Sequence, residues 1–158
     1  MTSISIGIDV GGTGIKAALV DTSTGELASS RIRIPTPDGA EPDAVAQICK
    51  ELISQLEAPS TALVGVCLPA VVTNGITRSA ANISDSWIDL CAEDLLIAAL
   101  DRRVHVLNDA DAAGVAEMTY GAGRNASGVT IMATLGTGIG SALFIQKTVV
   151  PNLSLINI

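Results

Sequence analysis

A chain of 158 residues has room for one domain with a real core, or for one lobe of a larger molecule. Nearly half of it is apolar, yet Trp87, Tyr120 and Phe144 are the only aromatic residues, so the core must be built from Ile, Val, Leu and Ala. A net charge of -7, with the Lys and Arg scattered, argues against a broad nucleic-acid or anionic-membrane surface.

Residues 4–10 form a short β-rich run that breaks into Gly11-Gly12-Thr13-Gly14-Ile15-Lys16. A second run covers residues 17–20, residues 21–25 are turn-rich, and a third run covers residues 30–34. Strand, Gly-rich turn, strand, turn, strand describes an antiparallel meander. A Walker loop or a dinucleotide fingerprint needs a helix directly after its glycines, and here a strand follows. Residues 35–42 read as a loop. From Asp43, Ala44, Val45, Ile48, Cys49, Leu52, Ile53 and Leu56 recur at helical spacing, with Pro42 and Asp43 suited to the first turn.

Residues 62–68 are continuously apolar and read as a strand buried in a sheet. Asn74-Gly75 centres a short hairpin. Residues 78–87 are polar and irregular, residues 89–100 an amphipathic helix, and residues 102–108 the next strand. An Ala-rich helix is expected from Asp109 to about Tyr120, then a loop over residues 121–128. Two further strands, 129–135 and 140–145, flank Gly136-Thr137-Gly138-Ile139.

Cys49, Cys67 and Cys91 are odd in number and widely spaced, and His105 is the only histidine, so a Cys/His zinc site is not expected. Three reduced thiols fit a cytoplasmic protein. The first residues lack a basic segment before an apolar run, and no stretch approaches the ~18 apolar residues of a membrane span.

Four places can carry chemistry. In Gly11-Gly12-Thr13 the glycines let backbone N–H groups approach an anion, Thr13 adds a hydroxyl and Lys16 a positive charge. Asp9, at the strand end, is a candidate for holding Mg²⁺ directly or through water. Gly136-Thr137-Gly138 is a second loop of the same kind, and two Gly-Thr loops, each after an apolar strand, point to phosphate binding. Asn108-Asp109 closes a strand and opens a helix, where open α/β sheets gather their ligands. An acceptor hydroxyl needs a carboxylate to take its proton and a neighbour to orient it, which assigns Asp109 the first role and Asn108 the second. The bland alternative for Asp109 is a helix cap. Asn82 lies in a polar loop beside Trp87 and is a candidate for hydrogen bonds to sugar hydroxyls. Asp111 and Glu117 are read as helix residues and His105 as a strand residue.

Taken together, Gly7 to Lys16, Thr77 to Asn82, Leu107 to Gly114, Tyr120 to Gly123 and Gly136 to Ser141 resemble the ROK family of sugar kinases within the actin-like ATPase superfamily. The likeness is greatest to its actinobacterial polyphosphate/ATP glucokinases. It implies an α/β fold of the ribonuclease H-like type, with a mixed-sheet N-terminal lobe over residues 1–125 and the start of a second lobe over residues 126–158. It implies phosphoryl transfer from polyphosphate or ATP, with Mg²⁺ and without zinc, to the 6-hydroxyl of glucose or a related hexose. Asp109 would be the base. Asn82, Asn108 and Asp109 would contact the sugar, and the two Gly-Thr loops would hold phosphates. Such kinases are often homodimers. The family continues past Pro151-Asn152 into a Glu-x-Gly-His sugar-binding motif and most of a second lobe, whereas here residues 153–158 follow. The expectation is therefore a shortened kinase of impaired activity, with an exposed sheet edge and an apolar tail. The alternative is a non-catalytic relic or regulatory fragment that binds sugar or phosphate weakly.

Overall fold

The computed structural model describes residues 3–135 and 139–150. The chain divides into two compact units, Met1–Leu107 and Asn108–Ile158.

The first unit is built on a mixed sheet. Ile4–Val10 (β1) and Ile15–Asp21 (β2) pair antiparallel from Ile4↔Asp21 to Val10↔Ile15, and the Gly-rich turn joins them. Glu26–Leu27 (β3) and Ile32–Ile34 (β4) both pair antiparallel with β2. Pro42–Gln55 (α1) starts with Pro42 at its first position, where the missing N–H costs nothing, and Asp43 faces the positive end of the helix dipole. Val64–Leu68 (β5) then lies parallel to β1. The hairpin of Val72–Thr73 (β6) and Ile76–Thr77 (β7) turns at Asn74 (φ 51°) and Gly75 (φ 75°), the left-handed pair that Asn-Gly accommodates. Ala92–Leu100 (α2) leads to Val104–Asn108 (β8), and the sheet runs in the order β3-β2-β1-β5-β8.

Period-2 alternation decides which face of this sheet is covered. Ile6, Ile8, Val10, Ile15, Ala17, Val64, Val66, Leu68, Val104 and Val106 point to one side and pack against Val45, Cys49, Leu52 and Leu96 of the helices. The core is aliphatic apart from Trp87. On the opposite side Asp9, Gly65, His105 and Leu107 are exposed. The apolar run over residues 62–68 predicts a strand covered on both sides. Instead Gly65 is exposed and Cys67 half-buried, because among the described residues helices cover only one face.

Burial has a chemical consequence at Cys49, whose thiol is pushed up from 9.0 to about 12. The unfolded thiol ionises first as pH rises. The stability this burial contributes is therefore complete below about pH 9 and is lost between 9 and about 12. Native Cys49 should resist a thiol reagent at pH 8 while Cys67 and Cys91, both half-buried, react first. Peptide mapping after brief alkylation checks this, and early labelling of Cys49 would contradict it.

In the second unit Asp109–Thr119 (α3) packs on a three-stranded antiparallel sheet ordered β11-β10-β9, formed by Val129–Leu135 (β9), Ile139–Ile145 (β10) and Thr148–Val150 (β11). Gly114 permits this approach. A Cβ there would stand 2.7 Å from the Phe144 ring and 3.0 Å from Ala142 Cβ. Phe144 is fully buried with Met118 and Ala142. Val129, Ile131 and Leu135 alternate onto the other face of β9 at 67%, 72% and 83% exposure, an apolar sheet face rather than the expected exposed edge. The expected apolar tail lies outside the described residues.

Other boundaries shift in ways with local causes. The third predicted strand shortens to β4, and the two-residue β3 precedes it. The second helix starts at Ala92, since Asp89 takes a left-handed φ of 60° and Cys91 a non-helical ψ of 86°. Two predicted loops tighten into single 3₁₀ turns, Asp38–Ala40 and Ala122–Asn125, and Asp85–Trp87 forms a third. The short β11 is not apparent from the sequence pattern.

Candidate active site

The Gly-rich turn between β1 and β2 is held from outside. Gly11 N–H donates to Gly14 O at 3.1 Å, closing the turn on itself. The Thr36 hydroxyl donates to Gly11 O at 2.5 Å and Arg33 Nη2 donates to Thr13 O at 2.6 Å. With those carbonyls engaged, the peptide units of the turn are fixed, while Gly12 and Thr13 stay exposed. This is the preorganisation a backbone anion site needs. Asp9 and Lys16 face each other across the hairpin, and Lys16 Nζ lies 3.2 Å from Asp9 Oδ2. Lys16 is thus tied to the strand-end carboxylate as well as adjacent to the turn. Asp9 Oδ1 has no protein partner among the described residues.

Asn82 arrives beside the same turn from seventy residues away. A Cβ on Gly12 would stand 3.1 Å from Asn82 Cβ, so glycine is what admits the two backbones to this distance. Asn82 itself is exposed and left-handed at φ 61°, a conformation Asn tolerates better than most residues. Its loop is anchored on both sides. Ala81 N–H donates to Pro69 O at 3.0 Å, Val71 N–H to Ser79 Oγ at 2.9 Å, and Ser84 Oγ to Glu41 Oε1 at 2.7 Å. Beneath it Trp87 is fully buried, with its indole N–H on Ala40 O at 2.9 Å and its carbonyl accepting from Thr77 Oγ1.

At the start of α3 Asn108 and Asp109 take different places. Asn108 is the cap: its backbone is extended (φ -63°, ψ 145°) and its Oδ1 accepts from Ala110 N at 2.9 Å and Asp111 N at 3.1 Å. Asp109 is the first helical residue, exposed, with Oδ1 2.8 Å from Ala110 N. The capping alternative for Asp109 is therefore filled by its neighbour. An anionic carboxylate at a helix N-terminus is favoured by the dipole. Asp111 is buried within the first turn, and Glu117 Oε2 accepts from Ala122 N at 2.9 Å, holding the turn after the helix. Gly136, Thr137 and Gly138 lie outside the described residues. The strands flanking them are in register from Leu135↔Ile139 onward.

His105 is an exposed residue of β8, with Nδ1 3.7 Å from Glu93 Oε2. Arg33 and Thr36 are the contributors that sequence reasoning misses. The nearness of Arg31 and Arg33 in sequence is the only local signal, because the contact with Gly14 depends on strand register.

A mixed sheet backed by helices, a Gly-rich turn off its first strand and a carboxylate opening the helix after its last strand define the actin-like ATPase fold of sugar kinases. The ROK family model matches residues 5–151, and the chain belongs to the ROK family. It is 48% identical over 147 residues to the polyphosphate glucokinase of Mycobacterium tuberculosis (strain CDC 1551 / Oshkosh), covering 92% of this chain and 55% of that protein. Among solved structures it is similar to the inorganic polyphosphate/ATP-glucomannokinase from Arthrobacter sp. strain KM, with TM-score 0.90 and 44% identity over 95% of this chain and 61% of that one. It is similar too to a ROK family glucokinase from Streptomyces griseus in complex with glucose and AMPPNP, with TM-score 0.79 and 29% identity over 92% and 46% of the two chains. The chain spans about half the length of the curated relatives it matches. No helix among the described residues is long and apolar enough to cross a membrane.

Proposed function

We propose that this chain carries the chemistry of a glucokinase, moving a phosphoryl group from polyphosphate or ATP to the 6-hydroxyl of glucose or a related hexose. The observation that carries this reading is the exposed Asp109 carboxylate at the start of α3, relieved of capping by Asn108. Asp109 accepts the 6-hydroxyl proton as the new O–P bond forms and the bond to the leaving phosphate breaks. Asn108 orients the acceptor hydroxyl, and Asn82 hydrogen-bonds the sugar. Gly11, Gly12 and Thr13, with Lys16, bind donor phosphate, as do Gly136, Thr137 and Gly138.

Among the described residues no group of three or more His, Cys, Asp or Glu is placed to hold a metal. A single carboxylate nevertheless suits Mg²⁺, which keeps most of its waters and takes its other oxygens from phosphate. Asp9 is the residue that would hold it, through the oxygen not engaged by Lys16. The ion would supply charge neutralisation at the donor phosphates. The division into a lobe over residues 1–125 and the start of a second over residues 126–158, and a cytoplasmic location, belong to the same proposal.

A second reading is a chain that binds sugar or phosphate without turnover. A coupled assay for glucose 6-phosphate with either donor, run beside glucose calorimetry, separates the two. The kinase reading expects product with at least one donor. Glucose binding without product would leave the second reading standing.

A further inference from the structure

The register of the first unit places three charged residues in one row. Asp9 is opposite Lys16 across β1 and β2, and Lys16 is opposite Arg33 across β2 and β4. Directly opposed residues on neighbouring strands lie roughly 4.5–5.5 Å apart, so the row runs acid, base, base beside the Gly-rich turn. Its inner pair is closed by the 3.2 Å contact between Lys16 and Asp9. Its outer member is differently held. Arg33 spends one N–H on Thr13 O, and a Cβ on Gly14 would overlap the guanidinium, so Gly14 makes the seat in which that group lies. A guanidinium has five N–H donors in a fixed fork. Among the described residues no carboxylate pairs with Arg33, in a chain that carries a net charge of -7.

From this geometry we infer that Lys16 and Arg33 form a two-cation track for donor phosphates beyond the one transferred, fitted to a linear inorganic polyphosphate. The inference rests on the kinase reading above and assigns its donor end. Every unit of a polyphosphate carries charge, so neighbouring cations can each take an oxygen of a different unit. A nucleoside triphosphate has only three phosphates and must seat a base as well, and it gains less from an outer cation. Arg33 has two separable jobs in this arrangement. Its N–H steadies the turn through Thr13, and its charge holds the polyanion.

Two substitutions separate them. Arg33→Gln removes the charge and places its amide nitrogen where Arg33 has Nε, short of the Nη2 that reaches Thr13 O, whereas Arg33→Lys keeps the charge and loses the fork. Calorimetry of the full chain with inorganic polyphosphate, with ATP as comparison and at low and high salt, reads the result without requiring turnover. The track predicts that Arg33→Gln weakens polyphosphate about 10-fold, as expected for one charge-assisted contact, flattens the salt dependence, and weakens ATP under about 3-fold. Arg33→Lys should recover most of the affinity. Equal losses for both donors, unchanged polyphosphate binding in Arg33→Gln, or no polyphosphate binding by the unsubstituted chain would overturn the inference. So would a loss of polyphosphate binding that runs in parallel with a lowered melting temperature in both variants, which would reduce Arg33 to a tie on the turn. Failure to form glucose 6-phosphate, by contrast, counts against the kinase reading and leaves the binding result standing on its own.

Discussion

Replacing Asp109 with Asn should lower kcat for glucose phosphorylation by about 10²–10⁴, the usual contribution of a positioned general base. Asn has nearly the shape of Asp and keeps an oxygen for the 2.8 Å approach to Ala110 N, so the start of α3 should stay folded. The cap is untouched because Asn108 supplies it. The glucose KM should move far less than kcat, since a base acts in the transition state rather than in ground-state binding. Asn108→Ala should behave differently. It removes the acceptor for two backbone N–H groups and should cost roughly 0.5–2 kcal/mol of stability. A steady-state comparison with a thermal melt on each variant checks both parts. Full activity in Asp109→Asn would remove the base from the mechanism.

Trp87→Ala should be the most damaging change to the fold. Trp87 is fully buried in an otherwise aliphatic core, so truncation leaves a cavity that Ile, Val and Leu cannot fill without moving. Losses of about 3–5 kcal/mol are typical for such truncations. At roughly 2–4 °C per kcal/mol for a chain of this size, the melting temperature should fall by about 6–20 °C. Trp87→Phe keeps most of the volume and gives up the hydrogen bond to Ala40 O, for a smaller loss of about 1–3 kcal/mol. Because Trp87 sits under the loop that carries Asn82, the Phe variant should also bind glucose less tightly at temperatures where it remains folded. Calorimetric melts of the two variants, followed by glucose titration of the Phe variant, test the sequence of effects.

Much of this was legible from local pattern. Helical spacing from Val45 to Ile53, the Asn74-Gly75 turn and the strand that breaks at Asn108 are each read from a few neighbouring residues, and the structure places them where the pattern does. What local pattern cannot supply is register. Arg33 reaches Thr13 only because β4 pairs with β2 in the alignment that sets Arg33 opposite Lys16. Asn82 meets Gly12 only because the segment after β7 folds back along Pro69 and Val71. The cap shows a subtler limit. Asn108 and Asp109 are both good capping residues, and the choice between them is made by the backbone at Asn108. One-sided cover of the sheet was hidden for another reason. A run such as Val64-Gly65-Val66-Cys67-Leu68 reads as apolar throughout, and the small residues at its even steps do not announce which side is open.

The most direct test of the account is the position of glucose in a crystal structure of this chain. The account predicts the sugar's O6 within about 2.6–3.2 Å of an Asp109 carboxylate oxygen, the reach of a general base. A glucose bound with O6 turned away from Asp109, or bound without touching it, would contradict the assignment of Asp109 as the base.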